Sequence, residues 1–458
     1  VSYTRIKADE PVDNLIKDVN PALLEGEGSL SLGISNSRLY EARDALDYLL
    51  KYPYGCVEQT TSATMPWLAL GKYEPLFPDQ LGGGKAKLVI QSGVNKLLQM
   101  TTDEGGLAYW PGGTEPTFWG SAYGGLLLLR ARDQGADVPA DAINKLVEYL
   151  SKKLRGLEEE KDLYNITDSA LALYTLAKAG KPEPAYQNLL FGKRDKLPEI
   201  ARLYLALSMC ISNTPAQQIK DTLGWKPPAP PAPPKTDSKA KVAASKAKSK
   251  SKTDTKAKTT APAPAPVIWS HWAGNGANKA LRLICYTHLG LTTDAEALAL
   301  SILQSRNGRG EWGNTFTNAW TLTALSAYER SLKKVGEPLA ATGRWDTQAV
   351  PLNLTAGFSS ARVNFALNEA LSAKPLSVEL PAGREIFSRI EARSFLPQRD
   401  FAGENKGYAI ERTYEELNMD GSTTGTDDHR VGDMVVVTLK IEIGGGDRYL
   451  AIDDSLPA

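Results

Sequence analysis

The run Tyr52-Pro-Tyr-Gly-Cys56-Val-Glu-Gln59-Thr-Thr-Ser62 holds a cysteine and a glutamine three residues apart, directly after a Pro/Gly turn. That spacing at the start of a helix puts both side chains on one side of the first turn, so the sulfur of Cys56 can reach the side-chain carbonyl of Gln59. Loss of ammonia from the pair would leave an internal thioester, an acyl group activated for attack by a nucleophile. Gly55 permits a close backbone approach beside that ring. Glu58 completes the motif, and Tyr52 and Tyr54 are placed to shield it from water. A bare C-x-E-Q also arises by chance, and the plain alternative is a half-buried helix-start cysteine beside a surface glutamine. The wider context Y-P-Y-G-C-x-E-Q-T-x-S favours the thioester.

Rival chemistry is thinly represented. Three histidines and no C-x-x-C give no zinc pattern, and three cysteines (Cys56, Cys210, Cys285) cannot build a disulfide framework. No P-loop, dinucleotide fingerprint or nucleophile elbow is present. His271 in Trp269-Ser-His-Trp272 reads as a stacked structural residue, His288 and Cys285 as core, Cys210 as buried filler and His429 as solvated. Leu157-Glu-Glu-Glu-Lys161 reads as a charged face. No metal and no cofactor are expected.

Helix-period patterns run from about 37 to 335 and must position the motif. Leu39–Lys51 is one; others cover 57–72, 85–101, 118–133, 139–154, 165–179, 196–212, 215–223, 276–289, 293–304 and 316–334, and a short 184–190 segment brings the total to about twelve. A Gly/aromatic turn followed by a helix of small residues and leucines repeats. Glu104-Gly-Gly-Leu-Ala-Tyr-Trp110 leads into Phe118–Leu129, Gly310-Glu-Trp-Gly-Asn314 leads into Phe316–Leu325, and a weaker copy is Asp162–Asp168 before Ser169–Leu176. Small residues allow close helix packing and the turn aromatics plug the end, which predicts a closed α/α toroid. The ends alternate with a period of two: Gly28–Ser35, then Leu352–Ala356, Ala361–Leu367, Leu376–Leu380, Met434–Ile443 and Tyr449–Ile452. The expected fold is α+β multidomain, with the toroid (37–345) inserted in a discontinuous β-sandwich domain (1–36 plus 346–400) and a second, truncated β-sandwich domain over 402–458.

Composition sets outer bounds. The 458 residues, 42% hydrophobic and 23% charged, exclude a wholly disordered or collagenous chain. No apolar run approaches the roughly 20 residues that span a bilayer. Val1-Ser-Tyr-Thr-Arg-Ile-Lys has no signal-peptide core and no initiator Met, so the chain reads as a piece of a longer protein. Residues 227–266 hold nine lysines and two aspartates, a net +7; with zero net charge overall, the remainder sums to −7, which argues against nucleic-acid binding. This Pro/Lys-rich stretch reads as a disordered insertion within one domain. A basic arm for an anionic membrane or cell-wall surface is the other reading.

The thioester run resembles that of the α2-macroglobulin family, specifically its bacterial members. Ser35–Leu50 is similar to the family's approach helix, Leu107-Ala-Tyr-Trp-Pro-Gly-Gly113 and Gly310-Glu-Trp-Gly313 to its toroid turns, and Val431–Leu439 through Ala451–Ala458 to the opening half of its C-terminal macroglobulin-like β domain. The resemblance implies that the discontinuous β domain is CUB-like. It implies a non-enzymatic endopeptidase inhibitor: a protease cuts a bait region upstream of Val1, and the thioester, with Cys56 as leaving thiolate and Gln59 as acyl donor, acylates a Lys amine of the attacker once. Cell-envelope or periplasmic location, possible membrane association through the full-length protein and a monomeric state follow from the same likeness. The counterpart of the histidine that promotes hydroxyl attack in complement-type relatives falls near Leu163–Asp168, where there is none, so amines are the expected nucleophiles. A loop around Tyr414-Glu-Glu-Leu-Asn-Met419-Asp-Gly421 is a candidate lock over the thioester with Met419 as plug; an ordinary Asp-Gly turn is the alternative. Other readings are a covalent attachment module without bait, an enzyme on the same toroid, and a structural module with a free Cys56.

Overall fold

In the computed structural model, the described residues are 1–20, 24, 27–52, 55–155, 163–227, 275–333, 336–367, 374–395, 408–418, 420–425, 430 and 432–443. The chain divides into two units, Val1–Phe395 and Leu396–Ala458.

Thirteen α-helices occur among the described residues of the first unit: α1 Arg43–Lys51, α2 Val57–Leu70, α3 Pro78–Leu81, α4 Ala86–Leu98, α5 Phe118–Asp133, α6 Ala140–Leu154, α7 Leu163–Lys178, α8 Pro184–Gly192, α9 Glu199–Ile211, α10 Ala216–Leu223, α11 Asn275–His288, α12 Thr292–Gln304 and α13 Thr315–Ser331. Two kinds are present. Helices α5, α9 and α13 are buried on nearly every face, whereas α6 buries one stripe (Ile143, Leu146, Tyr149, Leu150, Leu154). A helix apolar all round belongs inside and an amphipathic one outside. Accordingly α2 packs on α5, α5 on α7, α7 on α9, α9 on α11, α11 on α13, and α13 returns to α2, while α4, α6, α8, α10 and α12 each lie against inner helices. Aromatic side chains fill the middle: Tyr123 of α5 lies 5.1 Å from Phe316 and 6.1 Å from Trp320, both of α13, and Trp320 is 6.4 Å from Tyr204 of α9.

The repeated turn-and-helix unit has a physical basis. In both clear copies, the fourth residue of the helix accepts a hydrogen bond from the preceding turn: Ser121 Oγ from the Leu107 N–H at 2.7 Å, and Asn318 Oδ1 from the Trp312 N–H at 2.9 Å. The third copy differs, since α7 already begins at Leu163, so 163–168 is helix rather than turn. Trp110 does not plug the ring; it is 53% exposed.

The same unit contains two antiparallel sheets. One runs β1 (Ser2–Lys7), β7 (Glu385–Phe395), β2 (Glu27–Ser35), β5 (Ser360–Ala366) in spatial order; the other runs β4 (Gln348–Leu354), β3 (Leu339–Trp345), β6 (Leu376–Glu379). Leu32 sits opposite Ile390 on one side and Val363 on the other. The sheets share a core in which Trp345 meets Phe365 edge-on at 5.5 Å. The helix-to-strand switch expected at 346 comes earlier. Leu339–Trp345, which falls within the expected 37–345 domain, alternates buried and exposed as β3.

The outer face of β7 carries charge because it packs on the helices. Arg389, largely buried, binds Asp44 of α1 (Nε to Oδ2 3.3 Å) and Glu391 (2.7 Å), and the Tyr3 hydroxyl also donates to Asp44. This network fixes α1 against the sheet, and α1 runs directly into the Cys56 turn.

In the second unit, β8 (Tyr408–Leu417) pairs with β9 (Thr423–Gly425) and with β10 (Val435–Ile443), all antiparallel. Tyr414–Leu417, read as loop, is strand; past it the Asn418 N–H donates to the Ser422 carbonyl at 2.9 Å, with Gly421 at φ +82°. Met419 lies outside the described residues, as do Tyr54, His271, His429, residues 228–266 of the Pro/Lys-rich stretch and Tyr449–Ile452. Among the described residues, no helix is long and apolar enough to cross a membrane.

Candidate functional site

Helix α1 ends at Lys51, and Tyr52 leaves it extended. The chain re-enters helix at Cys56, the N-cap of α2, with φ −68° and ψ 173°. A helix start leaves backbone N–H groups unpaired, and a side chain at the N-cap and another at the third helical position can satisfy them reciprocally. Cys56 and Gln59 do so here: the Gln59 N–H points at Cys56 Sγ (3.5 Å), and the Cys56 N–H donates to Gln59 Oε1 (3.3 Å). The spacing read as a thioester spacing is thus a capping-box spacing. It folds the glutamine carbonyl back over the turn that carries the thiol.

The sulfur is dry. Cys56 is 1% exposed, and the Tyr109 side chain hydrogen-bonds to it. Burial first, then the neighbouring Cys56, pushes the Tyr109 phenol above its ordinary range, so it stays a neutral phenol. The Tyr109 carbonyl also accepts from the Val57 N–H at 2.9 Å. Tyr109 lies in the run Leu107–Gly113 that the sequence groups with the toroid turns, and no local spacing links it to Cys56. Tyr52 is half-buried and meets Tyr48 edge-on at 5.5 Å.

Two glycines of α5 set the height of the cap. A Cβ on Gly120 would stand 2.8 Å from Val57 Cγ1, and one on Gly124 would stand 2.5 Å from Leu107 Cδ1 and 3.2 Å from Val57 Cγ2. Val57 therefore seats in a notch only glycine leaves open, and Cys56 is its neighbour. Gly55 is not among the residues with positive φ; a Cβ there would meet the Lys96 amine rather than backbone. Lys96, Tyr52, Thr60, Trp67 and Leu49 line an open groove of about 270 Å³ beside this turn.

Glu58 has a structural part. It is 1% exposed and accepts from Ser62 Oγ (2.6 Å) on its own helix and from Thr315 Oγ1 of α13 (2.8 Å), which ties α2 to the helix that returns to it. Burial raises its carboxyl above the usual carboxylate range, against the lowering effect of those two hydroxyls. A raised carboxyl favours the neutral form in the fold. Its contribution is therefore fully present below the ordinary pKa and is lost as pH rises through the elevated one. The melting temperature of Glu58→Gln, measured against wild type, should gain by about 2 °C or more between pH 4 and pH 8. A difference that stays flat across that range contradicts this assignment.

The other chemistry-bearing residues stand apart. Cys210 and Cys285 are buried in α9 and α11. His288, expected in the core, is exposed at the end of α11, where the helix reaches solvent.

No protein-family model matches the chain. A stretch of 147 residues is 36% identical to alpha-2-macroglobulin of Escherichia coli (strain K12), which is 32% of this chain and 9% of that protein. The chain is related to the bacterial alpha-2-macroglobulins. Its fold agrees: native E. coli alpha-2-macroglobulin from domain MG7 to the C-terminus matches with TM-score 0.61 at 20% identity, over 96% of this chain and 63% of that one. Salmonella alpha-2-macroglobulin reacted with methylamine matches with TM-score 0.64 at 20% identity, over 96% of this chain and 26% of that one. The chain thus spans less than two thirds of the length of each of these alpha-2-macroglobulins.

Proposed function

We propose that this chain is the thioester-bearing portion of a protease-trapping inhibitor, and that its ring of helices is the α/α toroid that stores the thioester. The observation that carries the reading is the reciprocal hydrogen bonding of Cys56 and Gln59 at a buried helix start, under Tyr109. Cys56 Sγ attacks the Gln59 side-chain carbonyl, the C–N bond breaks and ammonia leaves. The thioester then waits in a site that excludes water. When the site opens, a Lys amine of the attacking protease adds to the same carbonyl. The new C–N bond forms, the C–S bond breaks, and the proton shed by the amine ends on the Cys56 sulfur. One acyl group is spent per molecule, so there is no turnover. That a Salmonella relative was captured after reaction with methylamine supports an amine as the nucleophile. Bait cleavage as the trigger, a periplasmic or envelope location, a monomeric state and Met419 as a lock belong to the same proposal.

The test is covalent capture by the complete protein that carries this chain. Incubated with trypsin, it should give an adduct that survives boiling in SDS and reducing agent, with the linking peptide containing Gln59. The Cys56→Ser protein should give none. Equal adduct from both proteins contradicts the proposal.

A further inference from the structure

Among inner helices that follow one another in the chain, α9 and α11 have the longest connection: residues 212–274, which hold α10 and the Pro/Lys-rich insert. Holding the ends of a long connection together costs more entropy than closing a short one. This is also the joint where two cysteines meet. Cys210 is on α9 and Cys285 on α11; the two helices pack together, and both side chains are buried free thiols (6% and 0% exposed) within hydrogen-bonding reach of each other. Tyr174 of α7 and Arg282 of α11 are close enough to act on the pair. The third cysteine, Cys56, belongs to α2, at a different joint.

We propose that Cys210 and Cys285 form a disulfide that staples α9 to α11 across the insert. The oxidant is a low-molecular-weight disulfide. One cysteine thiolate attacks it, a mixed disulfide forms and one small thiol leaves. The second cysteine then attacks the protein-side sulfur and the second small thiol leaves. The protein pair gives up two electrons and two protons, and the oxidant is reduced to two thiols. Contact with Cys210 and burial push the Cys285 thiol well above its ordinary range, so the closed ring reacts slowly. The bond therefore forms most readily while the ring assembles. A cross-link here removes freedom from an unfolded loop that includes the whole insert.

The test is refolding of the reduced chain with and without oxidised glutathione, followed by denaturing thiol titration and non-reducing peptide mapping. Oxidative refolding should leave two fewer thiols and a peptide pair joining Cys210 to Cys285. Reduction of that product should lower its melting temperature by roughly 3–6 °C. The Cys210→Ala and Cys285→Ala chains should show no such redox dependence. Full alkylation of both cysteines after oxidative refolding, or bonds that instead recruit Cys56, overturns the proposal. The wild-type map decides even where a variant folds poorly. The two-thiol difference is the same whether or not Cys56 is acylated, so this inference stands or fails apart from the thioester.

Discussion

Cys56→Ser should take up no labelled amine, while its stability stays within about 1 kcal/mol of wild type. Serine is as good an N-cap as any residue, so its oxygen can accept from the Gln59 N–H as the sulfur does at 3.5 Å. It does not supply the thiolate leaving group that makes the acyl group reactive toward amines. Gln59→Ala should lose uptake equally, and also the bond from the Cys56 N–H to Oε1, at a cost of about 1 kcal/mol. Gel fluorescence after incubation with a fluorescent primary amine reads the first effect and urea unfolding the second. Uptake by Cys56→Ser at the wild-type level would mean that amines are captured elsewhere.

Gly124→Leu should destabilise the helical part by about 3 kcal/mol and suppress amine uptake together. The first added carbon alone overlaps Leu107, and the rest of the side chain must displace Val57. Val57 carries the N–H that Tyr109 holds and is bonded to Cys56, so the cap moves with it. Gly192→Ala is the control, since nothing lies within 4 Å of the added carbon. Its urea midpoint and its uptake should match wild type. If Gly124→Leu also matches wild type in both, the notch does not set the position of Cys56.

Much of this was legible in sequence for reasons that can be named. Leu39–Lys51 and α6 have stripes with a helical period, and α5 and α13 were found because small residues and leucines mark helices buried all round. Two of the strands that escaped have an alternation broken by buried charge or small residues. In β7, Arg389 and Glu391 occupy positions that would read as solvent-facing, yet both are buried, with Arg389 bound to Asp44 of α1 and to Glu391. In β3, Ala340, Ala341 and Gly343 weaken the apolar signal. The Cys56–Gln59 pair was local and so was visible. Tyr109 was not, because a turn far along the chain brings it to the sulfur, and the meeting of Cys210 with Cys285 depends on the closing of helices across the insert.

Intact mass of the reduced chain, before and after methylamine, tests the thioester most directly. The account predicts a mass one ammonia below that of the sequence, a gain of one methylamine on treatment, and one newly titratable thiol at Cys56. A mass equal to that of the sequence, with Gln59 still an amide and Cys56 alkylated before any amine is added, would contradict it.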